Sequence, residues 1–118
     1  MWGCYGDSTG ATATGIGTGK SNTYLILLIC KTAGIAARVA ADYRGGGKSD
    51  WFLPSTDELN LIYVNKDAIG GFAADNYWSS SEYKATNSQY ARYEHFNLGD
   101  QNYSNKLYTY YVRPVRAF

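Results

Sequence analysis

The sequence predicts an α+β domain, with two helices in the first half and an antiparallel, strand-rich second half. Three observations predict it. A dense apolar run, Tyr24 to Cys30, sits behind polar residues able to cap a helix. A second helix is announced by Ser55-Thr56-Asp57-Glu58. Beyond Gly71 the helical spacing gives way to aromatic and polar residues in alternation, as in "ARYEHFN".

The first twenty residues are rich in Gly, Thr and Ser and read as loop or short strand around Trp2. "SNTYLILLICKTAGIAARVA" carries the first helix, capped by Ser21 or Asn22 and stopped at Gly34. Every position from 24 to 30 is apolar, so this element is expected to be buried on most sides. Asp50-Trp51-Phe52-Leu53-Pro54 then delivers the chain to a capping box. There the Ser55 hydroxyl accepts from the Glu58 amide and the Glu58 carboxylate reaches back to Ser55. Leu59, Ile62, Tyr63 and Lys66 follow at helical spacing, and Gly70-Gly71 ends the helix. In "ARYEHFN", Arg92, Glu94 and Phe96 share one face, while Ala91, Tyr93, His95 and Asn97 share the other, read as exposed. Gly99-Asp100 makes a turn, and "YYVRPVRAF" reads as a last strand. Trp51 and Trp78 are expected in the core.

A chain of 118 residues is one domain, residues 1–118, with enough length for a single core. Apolar content of 45% against 18% charged residues describes a globular chain. A net charge of +1 supplies no basic field, which argues against nucleic acid and anionic membrane as partners. No apolar run is long enough to span a bilayer. Met1 stands abruptly before "WGC", with no targeting signal, so the chain reads as a C-terminal fragment of a longer protein. Cys4 and Cys30 can pair or remain two small buried thiols, and the balance leans to free thiols.

No catalytic constellation stands out. "TGIGTGKS" imitates a phosphate-binding loop, but the first glycine of that motif falls on Thr14 and the strand before it is missing. A flexible loop feeding a helix explains it better. His95 is the only histidine, and Ser79-Ser80-Ser81 is expected to hydrogen-bond a turn. With two cysteines, one histidine and scattered carboxylates, no zinc or calcium site is implied, and no cofactor. The chain is therefore not expected to be an enzyme.

What does stand out is tyrosine. From Tyr83 to Tyr111 there are seven Tyr, four Asn, two Ser and two Thr, without a Val or Ile. Antibody combining sites use these residues, because Tyr offers large rigid amphipathic area while Asn and Ser hydrogen-bond adaptably. More rings lie here than one small domain can bury.

"DWFLPSTDEL", "YWSSSEY" and "VRPVRAF" together resemble the C-type-lectin-fold domain at the C-terminus of the Legionella collagen-like adhesin family. Within it, the chain is most similar to variable proteins of diversity-generating retroelements from gut bacteria and their phages. "WGC", "GTGKSNT" and "GIAARVAADYRGGGKSDW" extend the likeness over nearly the whole chain. It implies a C-type lectin-like fold, two helices packed on small antiparallel sheets. It also implies a variable region, residues 83–111, in which template adenines are randomised and AAY codons become NNY, which cannot encode Lys, Gln, Glu, Met or Trp. Asn102, Tyr103, Ser104, Asn105, Leu107, Tyr108, Thr109, Tyr110 and Tyr111 comply, as do Tyr90, Tyr93, His95, Asn97, Leu98 and Asp100. With Tyr83, Asn87 and Ser88 these are the expected ligand-binding residues. Lys106, Gln89, Glu94 and Gln101 do not comply and would be fixed. Where the family usually places Trp after Ala91, this chain has Arg92, whose stem could lie over the same core site.

The function implied is recognition of a protein or glycan on a cell or phage surface, at the cell surface or virion as part of a longer protein. The alternative is an adhesin of fixed specificity for a surface or matrix polysaccharide. The fold also resembles that of sulfatase-modifying enzymes, but the paired reactive cysteines such catalysis needs are not evident.

Overall fold

The computed structural model describes residues 1–83 and 88–116. Its elements run α1 (Gly19–Ile29), α2 (Ala36–Asp42), α3 (Thr56–Val64), α4 (Lys66–Ile69), β1 (Asn76–Glu82), β2 (Tyr90–His95) and β3 (Gln101–Asn105). The strands form one antiparallel sheet in the order β1-β2-β3. The class is α+β, as the sequence predicts, but the first helix ends at Ile29, an unexpected helix α2 follows Gly34, and the second expected helix resolves into α3 and α4.

The capping box forms as expected. Ser55 Oγ accepts from the Glu58 amide at 3.4 Å, and the Ser55 amide donates to Glu58 Oε1 at 2.9 Å. Glu58 does more than close its own helix. Its Oε2 accepts from the amides of Gly17 at 2.8 Å and Gly19 at 3.4 Å, at the start of α1. One fully buried carboxylate thus meets the positive ends of two helices. This explains why α1 begins before Ser21 and Asn22: the orphan amides there already have an acceptor. Asn22 instead donates from Nδ2 to Ala13 O at 2.7 Å. It also explains the glycine loop, whose anion is supplied from within the chain. A Cβ on Gly19 would meet Glu58 Oε1 and the backbone at Leu53 and Ser55, so the loop is held rather than flexible.

Ser55→Ala is expected to lower stability by about 1 kcal/mol, the usual cost of a lost N-cap hydroxyl. Glu58→Ala removes a charged acceptor from three amides and is expected to cost about 3 kcal/mol or more. Chemical denaturation of both variants checks the order; equal effects would show that the reach to Gly17 and Gly19 carries no energy.

Several expectations are corrected. Cys4 and Cys30 form a disulfide with Cα atoms 5.6 Å apart, not two free thiols. It ties the N-terminal loop to the end of α1. The apolar run is not buried on most sides, since Tyr24, Leu28 and Ile29 lie on the outer face of α1 while Ile26 is fully buried. The serine triplet lies in β1 rather than a turn, fully buried. Ser79 Oγ donates to Arg92 O, and Ser81 Oγ donates to Ala13 O while accepting from the Thr56 amide. These hydroxyls hold β1 to its neighbours where the register with β2 shifts, between Trp78 and Glu82.

"YYVRPVRAF" is not a last strand over its described residues. Tyr111 pairs with Tyr77 and Val115 with Phe52 as two isolated bridges. Pro114 lies between them and can donate no ladder bond. Bidentate contact between Arg116 and Asp50 fastens this end at 2.6 and 2.9 Å. The same contact holds the Asp50 carboxyl below its usual pKa.

Two apolar clusters make the core. One joins Trp2, Ile26, Ile35, Leu53, Trp78 and Ala91 beside α1 and α2; the other joins Leu59, Ile62, Tyr77 and Phe96 under α3. Trp78 is fully buried, but Trp51 is only half-buried, edge-on to Tyr43 with its Nε1 donating to Gly45 O.

Candidate binding site

The described residues of segment 83–111 form β2 and β3, the turn between them and the approach to the C-terminal bridges. The turn is built as the sequence suggests. Gly99, at φ +79°, donates to His95 O at 2.7 Å, and the His95 amide donates to Asp100 O at 2.9 Å. His95 is not a free side chain on an exposed face. It is half-buried, and its Nδ1 accepts from the amides of Asn97 and Leu98 at 3.2 and 3.4 Å, bracing the same turn.

Cross-strand partners fix which residues share a face. Tyr90 opposes Asn105, Arg92 opposes Tyr103 and Glu94 opposes Gln101, while Ala91 opposes Ser104 and Tyr93 opposes Asn102. The alternation read from "ARYEHFN" is therefore right in period. Its exposed face is not, because Ala91 is fully buried and Tyr93 packs on the Trp78 side of the core.

The expected binding residues come together in two neighbourhoods. In the first, Tyr83 and Tyr103 stack with ring centres 3.9 Å apart, and Tyr90 meets Tyr103 edge-on at 5.5 Å. The Arg92 guanidinium lies 5.1 Å over the Tyr83 ring. Arg92 is thus half-buried under tyrosine rather than replacing a core tryptophan. In the second, Tyr110 packs on Trp78 at 4.6 Å, on Tyr93 at 5.2 Å and on Tyr108 at 6.1 Å. Its hydroxyl bonds Ser104 Oγ at 2.9 Å. Tyr111 stacks on Tyr77 at 5.3 Å. Beside Thr109, Tyr110 and Tyr111 a cleft of about 380 Å³ opens, and among the described residues Asp75 also lines it. Sequence reasoning missed Asp75, because its neighbours here come from the far end of the chain. Asn97, Leu98, Asp100, Asn102, Leu107 and Thr109 are exposed, and Ser88 and Asn105 half-buried. Asn87 lies outside the described residues.

Of the residues expected to be fixed, Lys106 and Glu94 have a different character, while Gln89 is half-buried and Gln101 exposed. Lys106 is fully buried, its Nζ donating to Glu82 Oε2 at 3.2 Å and to the carbonyls of Cys4 and Asp7 at 3.2 and 3.1 Å. Trp2 lies beneath, its ring centre 4.8 Å from the ammonium. Burial pushes the lysine below its ordinary pKa, and Glu82 pulls it back. Glu82 also accepts from the Thr9 amide and hydroxyl. The Gln89 carbonyl accepts from the Lys106 amide.

Glu94 is fully buried, and Gln101 Nε2 donates both to its Oε1 at 2.9 Å and to Thr56 O at 3.0 Å. Glu94 Oε2 and Thr56 Oγ1 are buried with no hydrogen-bond partner among the described residues. Burial raises the Glu94 pKa from an ordinary 4.5 to about 7, with Asp100 adding to the rise and the Gln101 hydrogen bond opposing it. Unfolded, Glu94 ionises first, so between these values the folded chain holds the extra proton. Stability is then full below pH 4.5 and falls as pH rises through 7, by on the order of 3 kcal/mol. Urea midpoints at pH 5 and pH 8 check this, and Glu94→Gln is expected to flatten the difference. An unchanged midpoint over the same range would show that the carboxyl is solvated, and a rising one that its pKa is lowered by folding.

Among the described residues, no three His, Cys, Asp or Glu converge as a metal site would require. No helix among them is long and apolar enough to cross a membrane.

Helices packed against a short antiparallel sheet, with a C-terminal segment bridged back to the entry of α3, match the C-type lectin-like class to which the Lcl C-terminal domain family belongs. The family model described as the Lcl C-terminal domain matches residues 10–116, and the chain belongs to that family. A search of curated proteins found no match.

Proposed function

We propose that this is a ligand-binding display domain, not an enzyme, which recognises a protein or glycan target through the Tyr-, Asn- and Ser-rich surface of residues 83–111. Its sequence there is diversified by a retroelement. One observation carries the reading. Within this segment the fully buried described residues are Ala91, Glu94, Phe96 and Lys106. None of them is among the expected binding residues, and every described binding residue is at least partly accessible. Lys106 and Glu94, which the codon rule would leave fixed, hold the frame. Recognition then works by rigid aromatic rings that desolvate against the target, with Asn, Ser and Asp setting specificity around them. Such a domain works at a cell or virion surface, as part of a longer protein.

Sequencing the genomic neighbourhood tests the diversification. The expected result is a reverse transcriptase gene and a near-identical repeat whose adenines fall on the codons of the accessible residues. Adenine differences must spare Lys106 and Glu94. No such repeat would favour the second reading, an adhesin of fixed specificity for a surface or matrix polysaccharide, which the family membership by itself supports equally well.

A further inference from the structure

We infer that the cleft between Asp75 and the Thr109–Tyr111 stretch is a subsite for a cationic side chain, a lysine ammonium or arginine guanidinium presented by a protein target. The inference rests on the display reading and narrows its ligand from protein or glycan to protein.

The cleft is built before any ligand arrives. The Tyr111 amide donates to Asn76 O and the Trp78 amide to Tyr111 O, both at 3.0 Å, so its backbone is clamped to the start of β1. The Tyr111 ring is stacked on Tyr77 at 28° between planes. The Tyr110 ring is wedged between Trp78 and Tyr93, with its hydroxyl tied to Ser104. Walls fixed in this way lose little entropy on binding.

Its chemistry has one sign. Asp75 is exposed, and its Oδ1 accepts only the amide of Asn76, at 2.7 Å. No lysine, arginine or histidine pairs with it among the described residues, as is also the case for Asp7, Asp57, Glu58, Glu94 and Asp100. Tyr111 is half exposed and has Tyr77 as its one ring neighbour among the described residues. An exposed aromatic face attracts a cation through its quadrupole, and a carboxylate beside it adds a charge-assisted hydrogen bond. A sugar would ask for several donors and acceptors in a ring. Among the described residues the lining is Asp75, Thr109, Tyr110 and Tyr111, and the Tyr110 hydroxyl is already bonded to Ser104. At about 380 Å³ the space is large enough to admit a long side chain.

Amide chemical shifts in an NMR titration read the cleft directly. The probes are N-acetyl-arginine methylamide and N-acetyl-lysine methylamide, with the uncharged N-acetyl-citrulline methylamide and a methyl hexoside as comparisons. Saturable shifts at Asp75, Thr109 and Tyr111 are expected with the two cations and not with citrulline. Asp75→Asn keeps the acceptor for the Asn76 amide, so it is expected to fold normally and to weaken cation binding about tenfold. An equal response to citrulline, an affinity unchanged by Asp75→Asn, or no saturable shift with either cation would overturn the subsite. Saturation at the same amides by the hexoside alone would overturn it in favour of a glycan. None of these failures touches the display reading, which is tested at the gene.

Discussion

Lys106→Met is expected to lower stability by about 3–5 kcal/mol, although Lys106 lies in a segment whose accessible neighbours are proposed to tolerate change. Methionine keeps the apolar stem over Trp2 but removes the ammonium that Glu82, Cys4 O and Asp7 O share. The loss is large because Glu82 would stay buried and charged with only Thr9 to answer it. Adding Glu82→Gln removes that charge while keeping an acceptor for Thr9, so the double variant is expected to recover part of the loss. A double-mutant cycle from urea melts measures this. A cost below about 1 kcal/mol for Lys106→Met would mean that the pair is solvated and does not anchor the segment.

Trp78→Ala is expected to cost about 3–5 kcal/mol, because a fully buried indole leaves a cavity beside Ala91 and Tyr110. Trp51→Ala, at a half-buried site, is expected to cost roughly half as much or less. Among the tyrosines, Tyr108→Ser should stay within about 0.5 kcal/mol, and Tyr103→Ser should cost about 1 kcal/mol through its stack on Tyr83. Tyr93→Ser should fall between these and Trp78→Ala, since its ring leans on the core. Thermal melts of the five variants order them. Tyr108→Ser as damaging as Trp78→Ala would place the tyrosines in the core.

The parts of the fold legible in the sequence are those whose partners are near in the chain. Ser55 and Glu58 cap one helix within a single turn, and Gly99 and Asp100 close one hairpin. The same Glu58 reaches Gly17 across 41 residues, and nothing in "TGIGTGKS" signals which anion it awaits. The Cys4–Cys30 bond escaped for a similar reason, because two cysteines carry no spacing rule that distinguishes bonded from free. Strand alternation gave the right period in "ARYEHFN" but not which side is wet, because α1 with Trp78 covers one face and α3 part of the other. At the candidate site, tyrosine density marked the segment. Composition could not show that its rings divide between two neighbourhoods, or that Asp75 joins one of them.

The central claim is that residues 83–111 divide into a tolerant surface and an intolerant frame. Two libraries sorted for protease resistance test it most directly. The first randomises Leu98, Asn102, Tyr103, Leu107, Tyr108 and Thr109; the second randomises Ala91, Glu94, Phe96 and Lys106. The first is expected to yield mostly folded, protease-resistant chains and the second almost none outside the parent sequence. A first library as sparse in folded members as the second would contradict the claim.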